Sequence, residues 1–160
     1  MSILVYTAKF LCGLFDPQRI TDQGNIEGPV KPGRYATAIN VHNPNPVRPV
    51  SLRKKAVLLF SGSTPHEQPP EVVHQPGPLH QVAVGPDGAF EIDCSDIRAV
   101  LLAPAGPPAP EFIKGMVVIE TAPDTPLDVV AVYTAEPIGA APSSQLTMEI
   151  DRVTGSLIQT

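Results

Sequence analysis

The chain has 160 residues, 42% of them apolar, a formal charge of −5 and a pI near 5.2. That length suits one domain able to bury roughly 70% of its unfolded surface, and the apolar share argues against a wholly disordered chain. The acidic balance argues against a nucleic-acid footprint, which needs clustered excess Lys and Arg, and no run reaches the ~18 apolar residues of a membrane-crossing helix.

Proline accounts for 20 residues, placed almost entirely between the apolar runs. A proline fixes its own φ and has no N–H for a ladder, so it belongs to turns and sheet edges. The first run, Ser2 to Cys12, mixes β-branched and aromatic residues, ends at Gly13 and predicts a strand. No basic segment precedes it, Lys9 interrupts it and no cleavage pattern follows, so no signal peptide is expected and a cytoplasmic location is the default, with export by another route open. Residues 14–33 carry breakers and predict a long loop. From Arg34 to His42 the period is two: Tyr35, Thr37, Ile39 and Val41 share one face, Ala36, Ala38, Asn40 and His42 the other. Asn43-Pro44-Asn45-Pro46 stops that strand.

Leu52 to Phe60 predicts a third strand, opening on the basic triplet Arg53-Lys54-Lys55, whose alternating faces preclude a single patch. Residues 61–78 read as a surface loop. Leu79–Val84 and Ala89–Cys94 flank Gly85-Pro86-Asp87-Gly88, which predicts a hairpin closed by a type I turn. Ser95 is placed to cap one short helical turn carrying Ile97, Val100 and Leu101, and a second Pro-rich loop fills 103–111. Phe112–Thr121 and Leu127–Thr134 are apolar on both faces over part of their length, as central strands are. In the last strand Leu146, Met148 and Ile150 are expected to face in and Thr147, Glu149 and Asp151 out, leaving 155–160 as a fraying tail after a single domain over 1–154. About eight strands without βα alternation predict an all-β antiparallel sandwich of immunoglobulin-like layout.

Cys12 and Cys94 each fall at the carboxyl end of an expected strand. In a reducing cytosol both stay thiols and pack as small hydrophobes; a disulfide between them is the alternative. His66, His74 and His80 fall in one segment and are the residues a loop could gather around zinc, copper or nickel, although their spacing is not that of a defined metal motif. His42, with Asn40, Asn43 and Tyr35, stands where a strand meets a loop, a common place for ligand contacts, while Asn43 and Asn45 also suit the turn itself. Glu91, Asp93 and Asp96 are carboxylates of the calcium-binding kind, more simply read as an exposed strand face and a helix start. No nucleophile elbow, zinc-protease helix, P-loop or dinucleotide glycine pattern occurs, so no enzyme and no cofactor are expected.

The stretches Tyr35-Ala36-Thr37-Ala38-Ile39-Asn40-Val41-His42-Asn43-Pro44-Asn45, Arg53-Lys54-Lys55-Ala56-Val57, Glu91-Ile92-Asp93-Cys94-Ser95-Asp96-Ile97-Arg98, Lys114-Gly115-Met116-Val117-Val118-Ile119-Glu120 and Leu127-Asp128-Val129-Val130-Ala131-Val132-Tyr133-Thr134 resemble an uncharacterised bacterial all-β family. The order of elements, a strand ending in an Asn turn, a hairpin, a short acidic turn and two long apolar strands, is similar to that of the sensory rhodopsin transducer family. That second resemblance implies a small homo-oligomeric all-β protein that binds partners, with no site residue to carry over. The expectation is a non-catalytic, self-associating β-sandwich. The alternatives are a small-ligand or carbohydrate-binding module using loop residues, and a metal-binding module on the histidine loop.

Overall fold

The computed structural model describes residues 2–16, 30–61, 75–102, 111–138 and 146–159, and the three long loops expected from the sequence lie mostly outside them. Ten strands run β1 Ser2–Phe15, β2 Gly33–His42, β3 Val50–Ser61, β4 Gln75–Pro76, β5 His80–Val84, β6 Ala89–Asp93, β7 Phe112–Thr121, β8 Asp128–Pro137, β9 Thr147–Val153 and β10 Ser156–Gln159. Between β6 and β7 come one helical turn, α1 (Cys94–Asp96), and a π-type turn, Ile97–Leu101. All pairings among the described residues are antiparallel. The two strands beyond the expected eight are β4, an edge fragment where Pro76 is tolerated, and β10. The segment expected to fray at 155–160 instead pairs with β1, from Ser2↔Gln159 to Val5↔Ser156. Backbone pairing outweighs its polar, terminal character.

The sheet folds over on itself into two halves. One half has the order β10–β1–β7–β3, with β5 and β4 successive along the outer edge of β3; the other is β6–β2–β8–β9. They join where the carboxyl end of β1 meets β2, so that Gly13 pairs with Phe112 on one side and Tyr35 on the other. That corner requires glycine. Gly13 has φ +105°, and a Cβ there would lie 1.8 Å from the Glu111 carbonyl oxygen and 2.7 Å from the Arg98 guanidinium.

Side chains from both halves form one core: Tyr6, Phe10, Leu52, Val117 and Ile119 meet Ile39, Val41, Ile92, Val129 and Ala131. Alternation explains the choice, since residues two apart on a strand share a face. Between the halves β1 also finds side-chain partners. The Thr37 hydroxyl accepts from Leu11 N–H and donates to Leu11 C=O, both at 3.0 Å, and the Tyr6 hydroxyl accepts from Leu127 N–H at 2.7 Å. Gly115 lies where the core is tightest, and a Cβ there would meet Val57 O at 2.2 Å and the Phe10 ring at 2.5 Å. Gly115→Ala is therefore expected to cost about 1–3 kcal/mol by overpacking, seen as a lower urea midpoint; an unchanged midpoint would contradict this packing.

The helical turn is capped differently from the expectation. Asp93, not Ser95, is the N-cap: its carboxylate accepts from Ser95 N–H at 2.8 Å and Asp96 N–H at 2.9 Å, and Asp96 answers from the third position as a capping box. The Ser95 hydroxyl also donates to it at 2.6 Å, and these bonds hold the Asp93 carboxyl below its usual range. The following turn closes with Leu102 N–H on Ile97 C=O, which buries Ile97 and Leu101 and leaves Val100 exposed.

The structure joins Cys12 and Cys94 in a disulfide, with Cα atoms 5.6 Å apart. The expectation of two free thiols is corrected. The capped turn after β6 sets Cys94 against β1, a juxtaposition that spacing along the chain cannot reveal.

β9 reverses the expected faces. Its register pairs Tyr133 with Glu149 and Ala131 with Asp151, while Val132 pairs with Ile150 and Thr134 with Met148. Directly paired residues project to the same side, so Glu149 and Asp151 share the inner face with buried Ala131. Leu146, Met148 and Ile150 are 61%, 62% and 63% exposed. β9 is an edge strand whose residues are nearly all exposed, so core burial does not choose its facing; the ladder to β8 does.

Candidate functional site

Three features carry side-chain chemistry; the candidate residues Tyr35, Asn40 and His42 divide among them, and Asn43 belongs to none. At the carboxyl end of β2, His42 lies between two carboxylates, with Nε2 3.0 Å from Asp87 and Nδ1 3.5 Å from Asp128, and Arg152 reaches Asp128 at 3.5 Å. Asp87 occupies the tip of the β5–β6 turn at φ +51°, with its N–H donating to Asn45 C=O at 2.9 Å. A positive φ at the third residue, after Pro86, is the type II signature and not the expected type I. The bond to Asp87, seconded by Asp128, raises the pKa of His42 above its ordinary 6.5. A raised pKa adds stability that is complete below the unfolded value and is lost as pH rises through the folded one. An NMR titration of His42 is expected to give a midpoint above 6.5, with Asp87→Asn lowering it more than Asp128→Asn does. A midpoint unmoved by Asp87→Asn would refute the pairing.

Asn43, a candidate ligand contact from sequence, is fully buried and serves the scaffold. Its Nδ2 donates to the carbonyls of Arg48 (2.8 Å) and Gly85 (2.9 Å) and lies 3.4 Å from that of Val84, while Oδ1 accepts from Asn45 N–H at 3.0 Å. The Asn45 side chain accepts from Val47 and Arg48 N–H, which completes an Asx turn. Both polar atoms of the Asn43 side chain are thus engaged within the scaffold.

Tyr35 lies seven residues from His42, roughly 23 Å along an extended strand. The two cannot share one small site. Tyr35 instead lines a groove of about 400 Å³ between β1 and the β8–β9 ribbon, together with Lys9, Leu11, Tyr133, Glu149 and Asp151. Its hydroxyl donates to Lys31 C=O, and its ring packs edge-on against Phe112 at 5.8 Å. Burial, then the carboxylates of Asp151 and Glu149, push the Tyr133 phenol above its usual pKa. Sequence reasoning missed Tyr133, Glu149 and Asp151, because the facing assigned to β9 turned both acids outward.

His66 and His74 lie outside the described residues. His80 sits on β5 opposite Lys54, with its Nε2 buried and no hydrogen-bond partner among the described residues. Among those residues no group of three metal-binding side chains forms, and Asp93 and Asp96 are engaged in the capping box. The basic triplet disperses: Arg53 pairs with Glu120 at 2.8 Å, and Lys54 lies 4.9 Å over the Phe90 ring. Burial lowers the Lys54 pKa.

The third feature is the outer face of β6–β2–β8–β9. Registers align Ala38, Val132 and Ile150 in one row and Ala36, Thr134 and Met148 in the next. A further row reads Glu91–Asn40–Val130–Arg152, which places Asn40 in the middle of this face. The first two rows make a small-residue apolar strip widening to Met148 and Ile150 at the β9 edge.

No family model matches the chain, and a search of curated proteins gives no match. One solved structure, that of Thermotoga maritima 1070, is similar over 94% of this chain and 90% of its own, at 8% identity and a TM-score of 0.47. A likeness of that degree bears on neither fold nor function. No helix among the described residues is long and apolar enough to cross a membrane.

Chemically, the three features differ in what they can do. The His42 cluster can hold and release a proton at the surface. The groove can contact a small polar ligand through two phenols and two carboxylates. The outer face offers apolar contact from Val130, Val132, Met148 and Ile150, flanked by the charges of Glu91 and Arg152.

Proposed function

We propose that the chain is a non-catalytic β-sandwich that acts through protein contact and associates with itself. The observation that carries this reading is the exposed apolar strip on β9, where Met148 and Ile150 stand above 60% exposure and continue into Val130 and Val132 of β8. Contiguous apolar surface on a sheet mostly marks an interaction site. The similarity of element order to the homo-oligomeric sensory rhodopsin transducer family points the same way. Light scattering over a range of concentrations is expected to show a defined oligomer, and Ile150→Lys is expected to shift it toward monomer. A wild-type monomer at every concentration would end this reading.

A second reading rests on the groove: a small polar ligand held between Tyr35 and Tyr133. A thermal-shift screen of metabolites and glycans tests it, and Tyr133→Phe should remove any stabilisation found. The Cys12–Cys94 disulfide supports work in an oxidising compartment over a cytoplasmic one, since cytosolic thiols are kept reduced.

A further inference from the structure

Resting on the self-association reading, we infer that a second copy of this chain packs face to face on the outer side of β6–β2–β8–β9, related by a two-fold axis along the strands, so that Arg152 of each copy meets Glu91 of the other. Edge pairing through β9 is the obvious competitor, and in every register that pairs five or more of its seven residues its own charges oppose it. With a two-fold axis at Ile150, Glu149 would lie opposite Asp151 of the other copy. An axis at Glu149 or Asp151 would place that residue against itself. Like charges directly opposite are destabilising, and inward-facing charges on an edge strand are a recognised guard against such pairing. The outer face carries no such obstacle.

The fit of that face to itself is a matter of register. Glu91, Asn40, Val130 and Arg152 form one row across four strands, with an acid at the β6 end and a base at the β9 end. Three strand spacings separate the ends by about 14 Å. A two-fold axis along the strands keeps each row over itself and reverses its order. Each base then falls over an acid, twice per dimer. Both side chains have room to respond: Arg152 is 78% exposed although it touches Asp128, and Glu91 is exposed on β6. Asp93, the other acid at the β6 end, has its carboxylate held by the capping bonds of α1. In the centre Ala36 and Ala38 allow the sheets to approach, and Val130, Val132, Met148 and Ile150 supply the apolar contact. The 5, 10, 10 and 7 residues of β6, β2, β8 and β9 make a face of roughly 500 Å² before corrugation, against the ~800 Å² per partner of a standard interface.

The test is a charge swap read by light scattering or sedimentation on the full chain. Arg152→Glu and Glu91→Arg, each alone, are expected to weaken association at least about tenfold while leaving the thermal melt cooperative. Mixing the two variants one to one should restore it, because each acid of one chain then faces a base of the other. Association in both variants as strong as in wild type would overturn this geometry and leave the self-association reading standing. Loss in both variants without rescue on mixing would also overturn it. A monomeric wild type would instead remove the reading beneath it.

Discussion

Removal of the Cys12–Cys94 bond, by reduction or as the double variant Cys12→Ala/Cys94→Ala, is expected to lower the urea midpoint sharply while the reduced protein still folds. The two residues are 82 apart in sequence, and closing a loop of that length removes enough unfolded-state entropy to contribute about 4–5 kcal/mol. For a domain whose whole stability is of order 5–15 kcal/mol, that is a large share. It corresponds to a fall in Tm of roughly 10–15 °C. The bond also ties α1 to the corner at Gly13, where Arg98 donates to Cys12 C=O at 2.9 Å and to Glu111 C=O at 3.1 Å. Thr37 N–H points at the Cys94 sulfur, 3.2 Å away. Loosening that corner should therefore lead local unfolding, visible as amide exchange rising first around residues 94–102. Equal midpoints for the oxidised and reduced forms would show that the loop closure contributes nothing.

Asn43→Ala is expected to cost about 2–3 kcal/mol, since it removes three hydrogen bonds of a buried side chain at a net ~0.5–1.5 kcal/mol each. The lost partners are the carbonyls of Arg48 and Gly85, with that of Val84 close by, so the β2–β3 connection and the β5–β6 turn would come apart together. Asn43→Asp should be worse than alanine at neutral pH, because a carboxylate would face those same oxygens with no hydrogen to donate. That second variant separates a hydrogen-bond clamp from a simple packing role. Should both variants melt within about 0.5 kcal/mol of wild type, the range of an ordinary surface change, the clamp has no structural weight. The His42–Asp87 contact depends on the same turn, so the raised His42 pKa should fall back in either variant.

Much of this was open to reading from the chain. The period of two from Arg34 to His42 assigned its faces correctly, with Thr37, Ile39 and Val41 buried and Asn40 outward. Among the described residues Pro44, Pro46, Pro86, Pro123 and Pro126 mark connections, and the Gly85–Gly88 turn forms. The expected hairpin does not: β5 pairs with β3 and β6 with β2, because the turn carries the chain from one half of the sheet to the other. The site was far less legible. Tyr35 and His42 looked like neighbours in sequence and stand at opposite ends of one strand. Asn43 looked like a turn residue with a hand free, and every polar atom of its side chain is in use. Glu149 and Asp151 looked solvent-facing and line the groove.

These outcomes share one cause. Local chemistry is written in adjacent residues: alternation, proline and glycine choose strands and turns, because φ, hydrogen-bonding capacity and side-chain direction are properties of a few consecutive positions. The sequence alone therefore determined an all-β, antiparallel chain and the boundaries of eight of its ten strands to within a few residues. It could not decide which of the two faces of β9 turns inward, since alternation is symmetric under a one-residue slip and only the ladder to Tyr133 and Val132 breaks that symmetry. Nor could it pair Cys12 with Cys94, or set Glu91 and Arg152 at the two ends of one row. Those facts belong to strand order and register, which bring together residues tens of positions apart and exist only once the sheet has closed.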